Sequence, residues 1–231
     1  MSTFWIKTPS FIQYLFPNYI WKIKNNEQKI FLTFDDGPIP EVTEWVLDIL
    51  KRENIKATFF CIGDNIKKHP QTFKRIIQEK HSIGNHTFNH LNGWKTNSNL
   101  YYENFRLCDE ILENTKGEMD NSKDDKWIIS NPQLQTEHSK LFRPPYGKIK
   151  RLQAKKIKLK KYKIIMWDVL SYDFDQNSTP EICLENVVKN TTAGSIIVFH
   201  DSIKAKKNLQ YALPKAIQKL KEKGFVFEPI V

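Results

Sequence analysis

The chain has 231 residues, and its 36 lysines and arginines against 26 aspartates and glutamates give a formal net charge of +10 at pH 7. A chain of this length forms one large domain or two small ones. Its hydrophobic content of 40% excludes wholesale disorder, because it provides enough apolar surface for a core. The positive charge is compatible with a nucleic-acid partner, an anionic surface or a solvated lysine-rich exterior, and composition does not distinguish these three.

Residues 1–28 form an arm rich in aromatic side chains that precedes the first predicted strand. The arm contains no apolar run of roughly 18 residues, the length a membrane span needs, and neither the charged nor the apolar region of a secretory signal. The three cysteines are widely spaced and form no Cys-x-x-Cys pair, which argues against a disulfide framework. We therefore expect a cytoplasmic protein whose arm packs on the domain, with peripheral membrane contact as the alternative.

From Lys29 onward, short apolar runs typical of strands alternate with longer amphipathic stretches typical of helices. The predicted strands are 29–34, 57–62, 82–85, 141–142, 163–167, 195–199 and 225–227, and the predicted helices include 42–53, 70–79 and 102–113. Alternation of this kind indicates parallel β/α units, and their number favours a barrel over an open sheet. We predict an α/β fold, a single-domain distorted (β/α)7-like barrel over residues 29–231.

Two segments depart from this alternation. Residues 115–140 contain several turn-forming residues and no sustained periodicity, so they are predicted to form a surface loop insertion. Residues 148–163 carry nine basic residues and no acidic one. On a helix with Leu152 and Ile157 facing the core, these cations are predicted to form a solvated outer face rather than a nucleic-acid site.

Polar residues follow the apolar runs, at the strand ends that carry the catalytic groups in barrels of β/α units. Asp35 and Asp36 follow the first run and precede a Gly-Pro turn. Adjacent carboxylates repel each other, so the pair indicates a cation or a basic partner. His86 and His90 follow the third run. On one helical turn they would lie one above the other, which suits zinc, and nickel and cobalt accept the same ligands.

Three further strand ends carry charged or ionisable residues. Arg143 lies in a rigid loop with two prolines, which fixes a permanently charged guanidinium. Asp168 follows the fifth run and His200 follows the sixth, where an imidazole pKa near neutrality suits proton transfer. Each feature alone has an ordinary structural explanation, but five strand ends that bring such residues to one face indicate a catalytic site.

The ordered motifs Thr-Phe-Asp-Asp-Gly, His-Thr-x-x-His, Arg-x-Pro-Tyr and apolar-x-His resemble those of polysaccharide deacetylases of the NodB homology type, carbohydrate esterase family four. The resemblance covers about residues 29–227. It implies a distorted barrel, a divalent metal, usually zinc, and hydrolysis of N-acetyl groups from amino-sugar polymers such as peptidoglycan or chitin. It also implies that Asp36, His86 and His90 bind the metal.

The same resemblance implies the roles of the remaining residues. Asp35 would be the general base, Arg143 would orient its carboxylate, and His200 would be the general acid. The backbone N–H of Tyr146 would stabilise the oxyanion. These roles are compatible with the physics, because a bound metal acidifies water and a nearby guanidinium keeps a carboxylate ionised.

One motif departs from the family pattern Asp-x-x-Asp-Trp, in which the first aspartate orients the acidic histidine. Residues 167–174 here read Trp-Asp-Val-Leu-Ser-Tyr-Asp-Phe. If Trp167 sets the register, Leu170 replaces the first aspartate and Phe174 replaces the tryptophan, whereas if Asp168 sets it, Ser171 and Tyr172 fill the later positions. Residues i and i+2 of a strand share a face, which would place Asp168 on the same side as Leu170. We therefore assign Asp168 as the partner of His200, with Asp173 as the second choice. We name Phe174 as a substrate-contacting residue on the first of these registers.

Two alternatives stay open at this point. One is a hydrolase of the same fold that acts on a small cyclic amide or imide, and the other is a non-catalytic binder of glycans or nucleic acid. Asp35 argues against the binder, because binding alone requires no base beside metal ligands. We expect an N-acetylated amino-sugar oligomer as the partner and no nucleic acid, and the sequence leaves the oligomeric state open.

Overall fold

A computed structural model describes residues 5–120 and 140–231, apart from the side chains of residues 116–120. In these ranges the strands are β1 (Lys29–Asp35), β2 (Thr58–Cys61), β3 (Ser82–Asn85), β4 (Leu141–Phe142), β5 (Lys163–Ile164), β6 (Val169–Leu170), β7 (Ile196–His200) and β8 (Val226–Phe227). The helices are α1 (Ser10–Leu15), α2 (Trp45–Arg52), α3 (Gly63–Lys68), α4 (Pro70–Gln78), α5 (Ser98–Asp120), α6 (Arg151–Leu159), α7 (Pro180–Asn190) and α8 (Lys206–Glu222).

The strands pair in parallel in the order β5-β4-β3-β2-β1-β7-β6, and β8 pairs with the start of β1. This arrangement confirms the predicted barrel-like α/β fold. Parallel strands in one sheet place their carboxyl ends at the same edge, because each returns through a crossover connection. In the β1–β7 register Asp35 lies opposite His200, so two of the predicted site residues end side by side.

The arm pairs with the backbone between the two outer strands. The Ile20 N–H donates to Ile164 O at 2.8 Å, and the Met166 N–H donates to Ile20 O at 2.7 Å. Further along, the Leu170 N–H donates to Ile6 O at 2.8 Å. The arm thus satisfies main-chain groups in β5, just after β5 and in β6, which an open barrel would leave as unpaired sheet edges.

The main core lies between the sheet and the outer helices. Leu47 of α2, Phe73 of α4, Val187 of α7 and Leu213 of α8 are fully buried in it. Each such side chain stabilises the fold by about 1.5–3 kcal/mol relative to exposure. The strand ends that carry the polar residues are therefore fixed by a rigid scaffold.

The predicted loop insertion begins later than residue 115, because α5 continues to Asp120. The rest of that segment, residues 121–139, lies outside the described residues. No helix in the described part of the chain combines the length and the apolar character needed to cross a bilayer.

The prediction that Leu152 faces the core is wrong, since its side chain is 53% exposed. Helix α6 instead buries Gln153, Ala154 and Ile157. Gln153 occupies a buried position because its amide is satisfied there: it donates to Gly93 O at 2.9 Å and accepts from the backbone N–H at the start of α6 at 2.8 Å. The buried face of α6 therefore contains the polar Gln153, and Leu152 lies on the exposed face.

Candidate active site

Asp35 and Arg143 form a buried ion pair at the carboxyl end of β1. Arg143 Nη1 lies 2.6 Å from Asp35 Oδ1 and donates to Thr33 Oγ1 at 2.7 Å. The other guanidinium nitrogens donate to the carbonyls of Ile165 and Met166 at 3.3 and 3.0 Å. Burial raises the pKa of Asp35, and Arg143 opposes that rise. The guanidinium therefore aims a carboxyl group that is more basic than usual.

Asp36, His86 and His90 converge beside this pair. The Nε2 atoms of His90 and His86 lie 3.3 and 3.7 Å from Asp36 Oδ1, and the candidate ligand atoms all lie within 4.8 Å of one another. Asp36 Oδ1 is buried and has no hydrogen-bond partner among the described residues. A buried, unpartnered carboxylate oxygen is costly unless a cation compensates it.

The protonation of the two imidazoles fits a cation at this place. Burial lowers the pKa of His86 and of His90, which favours their neutral forms. His86 Nδ1 lies 2.8 Å from Arg143 O, and since a carbonyl oxygen only accepts, Nδ1 carries the proton. The lone pair of His86 is then on Nε2, facing Asp36, as in metal-binding histidines held by a backbone carbonyl. Two imidazoles and one carboxylate suit zinc.

The two histidines converge through a bend rather than the predicted helical turn. Thr87 and His90 have φ angles of +64° and +55°, which a regular helix excludes. Asn104 of α5 holds this bend, because its side-chain oxygen accepts from the Asn89 N–H at 2.9 Å. The His86 and His90 rings consequently lie 5.0 Å apart between centroids.

Asp201 clamps the turn that carries Asp36, although the sequence reasoning did not single it out. Its Oδ1 accepts from the Gly37 N–H at 3.0 Å and its Oδ2 from Thr43 Oγ1 at 2.6 Å. Asp36 has a φ of +85°, a conformation that costs about 1–3 kcal/mol outside glycine. Gly37 is required here, because a Cβ atom would lie 1.9 Å from Asp201 Oδ2. The one sequence signal for Asp201 is its position directly after His200.

His200 pairs with Asp173, the second choice of the sequence reasoning. His200 Nδ1 lies 2.7 Å from Asp173 Oδ1, and the His200 backbone N–H donates to Asp173 Oδ2 at 2.8 Å. Burial lowers the pKa of His200, but the carboxylates of Asp173, Asp36 and Asp35, with Asp173 contributing most, together outweigh burial and raise the pKa to about 9. With Nδ1 held by Asp173, a protonated imidazole keeps its Nε2 proton for transfer.

The prediction that Asp168 orients His200 is wrong. Asp168 Oδ2 lies 2.6 Å from Lys7 Nζ and accepts a hydrogen bond from Ser195 Oγ. The prediction placed Asp168 on the same face as Leu170, as in a regular strand, but β6 consists only of Val169 and Leu170. Asp168 precedes the strand and pairs with the arm, whereas Leu170 lines the cleft.

The site residues share one cleft of about 770 Å³, whose lining includes Asp35, Asp36, His86, His90, Tyr146, Leu170, Phe174 and His200. Tyr146 Oη lies 3.1 Å from His90 Nδ1. The Phe174 ring lies 4.9 Å from the His200 ring in an edge-to-face arrangement. Both aromatic residues named from the sequence are therefore beside the reacting groups.

Three lysines, Lys95, Lys148 and Lys204, line the same cleft. The ammonium of Lys148 lies 5.5 Å from the centre of the Trp94 ring, and that of Lys204 lies 5.8 Å from the Phe174 ring. Lys148 belongs to the basic run that was predicted to be a solvated outer face. Part of the positive charge thus lies at the site itself.

The arrangement combines the groups that hydrolysis of an amide requires. Asp35 is a carboxyl group with a raised pKa, which suits a general base at neutral pH. His200 is a proton donor on the neighbouring strand, and the group of Asp36, His86 and His90 can hold a metal ion. Arg143 holds the Asp35 carboxyl group and Asp173 holds the His200 imidazole through the ion pairs described above.

Comparisons with known proteins agree with this chemistry. A family model described as Polysaccharide deacetylase matches residues 22–165. A peptidoglycan-N-acetylglucosamine deacetylase of Bacillus cereus is 36% identical over 209 residues, which cover 90% of this chain and 88% of that protein. The peptidoglycan-N-acetylmuramic acid deacetylase PdaA of Bacillus subtilis is 29% identical over 206 residues, covering 88% of this chain and 70% of that protein.

A similar fold occurs in the crystal structure of the Bc1960 peptidoglycan N-acetylglucosamine deacetylase in complex with 4-naphthalen-1-yl-N-oxidanyl-benzamide. It aligns with a TM-score of 0.79 at 33% identity, over 96% of this chain and 95% of that one. The similarity therefore includes the arm as well as the barrel.

Proposed function

Because this chain belongs to the polysaccharide deacetylase family of hydrolases, we propose that it removes N-acetyl groups from the amino sugars of peptidoglycan by metal-dependent hydrolysis. The observation that carries the proposal is the meeting of Asp35, His200 and the Asp36–His86–His90 group in one cleft. Relatives named for N-acetylglucosamine and for N-acetylmuramic acid support an amino sugar of the cell wall as the substrate.

Asp36, His86 and His90 would hold the metal, with zinc as the expected ion because neutral imidazoles suit it better than magnesium. Nickel and cobalt accept the same set of ligands. A divalent ion bound there supplies a Lewis acid for the acetyl carbonyl and lowers the pKa of water toward about 7.

Asp35 then takes the proton of the attacking water. Arg143 keeps the carboxylate aimed through its 2.6 Å contact, and the backbone N–H of Tyr146 donates to the oxyanion as it forms. His200 donates the Nε2 proton to the leaving amine, while Asp173 holds its Nδ1. Proton transfer of this kind contributes about 10²–10⁴-fold to the rate.

The three cleft lysines favour peptidoglycan over chitin. Muramic acid carries a lactyl carboxylate and peptidoglycan peptides carry further carboxylates, whereas a chitin chain is neutral. Lys95, Lys148 and Lys204 line the cleft that also holds the reacting groups. An ammonium about 4 Å from a carboxylate gains about 1 kcal/mol even in bulk water, and this attraction weakens as salt is added.

The test is acetate release from a muramic acid-containing peptidoglycan oligomer and from a chitin oligomer of the same length. We expect release from both, loss of release after chelation, recovery with zinc, and a lower KM for the anionic oligomer that rises with salt. The variant Asp36→Asn should bind less zinc and release little acetate. Turnover of a small cyclic amide without release from any acetylated amino sugar would contradict the proposal.

A further inference from the structure

Exposed apolar side chains are concentrated on the arm and on α6. None of the residues of α1 is buried. The most exposed members are Tyr14 at 84%, Leu15 at 61% and Leu159 at 75%, and Phe11 and Phe16 lie beside them at 59% and 43%. We call these five residues the arm patch. Leu15, Phe16 and Leu159 line one groove, and Phe11 and Tyr14 belong to the same short helix as Leu15. Exposed apolar residues grouped in this way indicate an interaction surface, because scattered single residues need no such explanation.

Cations lie directly beside the arm patch. A groove of about 500 Å³ is lined by Leu15, Phe16 and Leu159 together with Arg151, Lys155 and Lys158. Within the described part of the chain, no acidic residue lines this groove. The sequence from 148 to 163 contributes nine basic residues and no acidic one, so the positive potential of this face is not compensated along the helix.

Several basic residues on other surfaces of the molecule pair with carboxylates. Lys68 pairs with Asp64, Lys189 with Glu185, and Lys221 with Glu53. By contrast, none of Arg151, Lys155 and Lys158 has a carboxylate partner among the side chains of residues 5–115 and 140–231. On this face, cations without a carboxylate partner share one groove with the exposed apolar side chains of Leu15, Phe16 and Leu159.

We propose that the arm patch and the cations Arg151, Lys155 and Lys158 dock the protein on an anionic lipid bilayer. Apolar side chains of an interfacial helix enter the boundary between headgroups and acyl chains, and each lysine or arginine near an anionic surface contributes about 1 kcal/mol. Nucleic acid explains the cations but gives no role to exposed Leu15 and Leu159. The lipid surface explains both components.

Docking on this face brings the catalytic cleft near the membrane. Phe16 and Tyr19 line the groove beside α6 and also a second cavity of about 430 Å³. That second cavity shares Tyr146 and Trp167 with the catalytic cleft. The protein docked in this way holds its cleft beside the bilayer surface, and the proposal does not depend on which sugar is deacetylated.

The test is sedimentation of the full chain with sucrose-loaded vesicles. We expect binding to vesicles of phosphatidylglycerol and phosphatidylcholine at low salt, weaker binding at high salt because the cations are screened, and little binding to pure phosphatidylcholine. The double variant Lys155→Gln with Lys158→Gln should weaken binding about 30-fold. The double variant Tyr14→Ser with Leu15→Ser should weaken it at least about ten-fold.

Matched controls come from α8 and α7. The double variant Lys207→Gln with Lys219→Gln removes two exposed lysines from α8, and Ile182→Ser changes an apolar residue of α7 that is 47% exposed. Both controls should bind as the unmodified chain does, and every variant should release acetate from a soluble oligomer at an unchanged rate. The proposal is overturned if the chain does not sediment with anionic vesicles at low salt, or if both patch variants bind as the unmodified chain does. It is also overturned if the chain binds RNA but not anionic vesicles.

Discussion

Asp168 and Asp173 lie five residues apart on the same segment, and both are fully buried, with 1% and 0% exposure. Asp168 pairs with Lys7 and connects the arm to β6, whereas Asp173 pairs with His200, which lines the cleft. The comparison teaches that burial and position at a strand end do not distinguish a structural carboxylate from one that serves the reaction. The two carboxylates are distinguished by their cationic partners, Lys7 for Asp168 and His200 for Asp173.

The two ion pairs also differ in their cations. The Lys7 side chain is 36% exposed and donates to Asn190 O at 2.7 Å as well, so the pair joins the arm to α7 at the surface. The His200 side chain is 15% exposed and faces the cleft. Weakening the Lys7–Asp168 pair should therefore lower stability alone, whereas weakening the His200–Asp173 pair should lower the rate as well.

The largest expected effect on kcat comes from removing His200, the cation that pairs with Asp173. His200→Ala should lower kcat by about 10²–10⁴-fold, because the leaving amine loses its proton donor. The metal content should not change, since His200 is outside the group of Asp36, His86 and His90. Acetate release and metal analysis of the purified variant measure both quantities.

The double variant His200→Ala with Asp173→Asn provides the control. It should lose little more activity than His200→Ala, because residues that act as one unit are not additive. An unchanged rate in His200→Ala would remove both residues from the reaction and make the two aspartates equivalent.

The second effect is a dependence of stability on pH. The pKa of His200 rises from its ordinary 6.5 to about 9 in the folded chain, so the folded state binds the proton more tightly than the unfolded state. The pair with Asp173 therefore stabilises the fold fully below about pH 6.5, and this contribution is lost as the pH rises through about 9. Urea unfolding of metal-free protein between these values measures it.

The comparison with Asp173→Asn isolates this contribution. The difference in unfolding free energy between the unmodified chain and Asp173→Asn should shrink by about 2–3 kcal/mol over this pH window. The corresponding difference for Asp168→Asn should stay constant, because Asp168 meets a lysine and a serine rather than a histidine. Parallel curves for the two variants would show that His200 does not carry the effect.

The smallest effect is expected when the partly exposed Lys7–Asp168 pair is broken. Lys7→Met leaves Asp168 with Ser195 but without its cation, and should lower the unfolding free energy by about 1–2 kcal/mol, less than for a fully buried pair because Lys7 is partly solvated. Thermal unfolding should show a loss of about 2–8 °C in Tm, with kcat unchanged. A fall in kcat equal to that of His200→Ala would connect Asp168 to the reaction after all.

The site residues that could be predicted from the sequence are those placed by the end of a single strand, without a contact to a distant segment. Asp35, Asp36, Arg143 and His200 follow apolar runs directly, and the parallel sheet brings such ends to one edge. The barrel-like fold itself was predictable from the alternation of runs and amphipathic stretches. The spacing of apolar and polar residues along each segment was sufficient here, because it determines which segments become strands and which residues follow them.

The remaining features depend on contacts between distant segments. The choice of Asp173 over Asp168 follows from Lys7, which lies 161 residues before Asp168, and no local pattern contains that pair. The bend between His86 and His90 depends on Asn104 of α5. A single sequence thus does not show which distant residue a given side chain contacts in the folded protein.

The most direct measurement is a side-by-side determination of kcat and Tm for Asp173→Asn and Asp168→Asn. We expect Asp173→Asn to lower kcat by about 10²-fold or more, because the imidazole loses the carboxylate that holds its Nδ1. We expect Asp168→Asn to lower Tm and to keep the kcat of the unmodified chain. A loss of kcat in Asp168→Asn that equals or exceeds the loss in Asp173→Asn would contradict the assignment of the acid pair to His200 and Asp173.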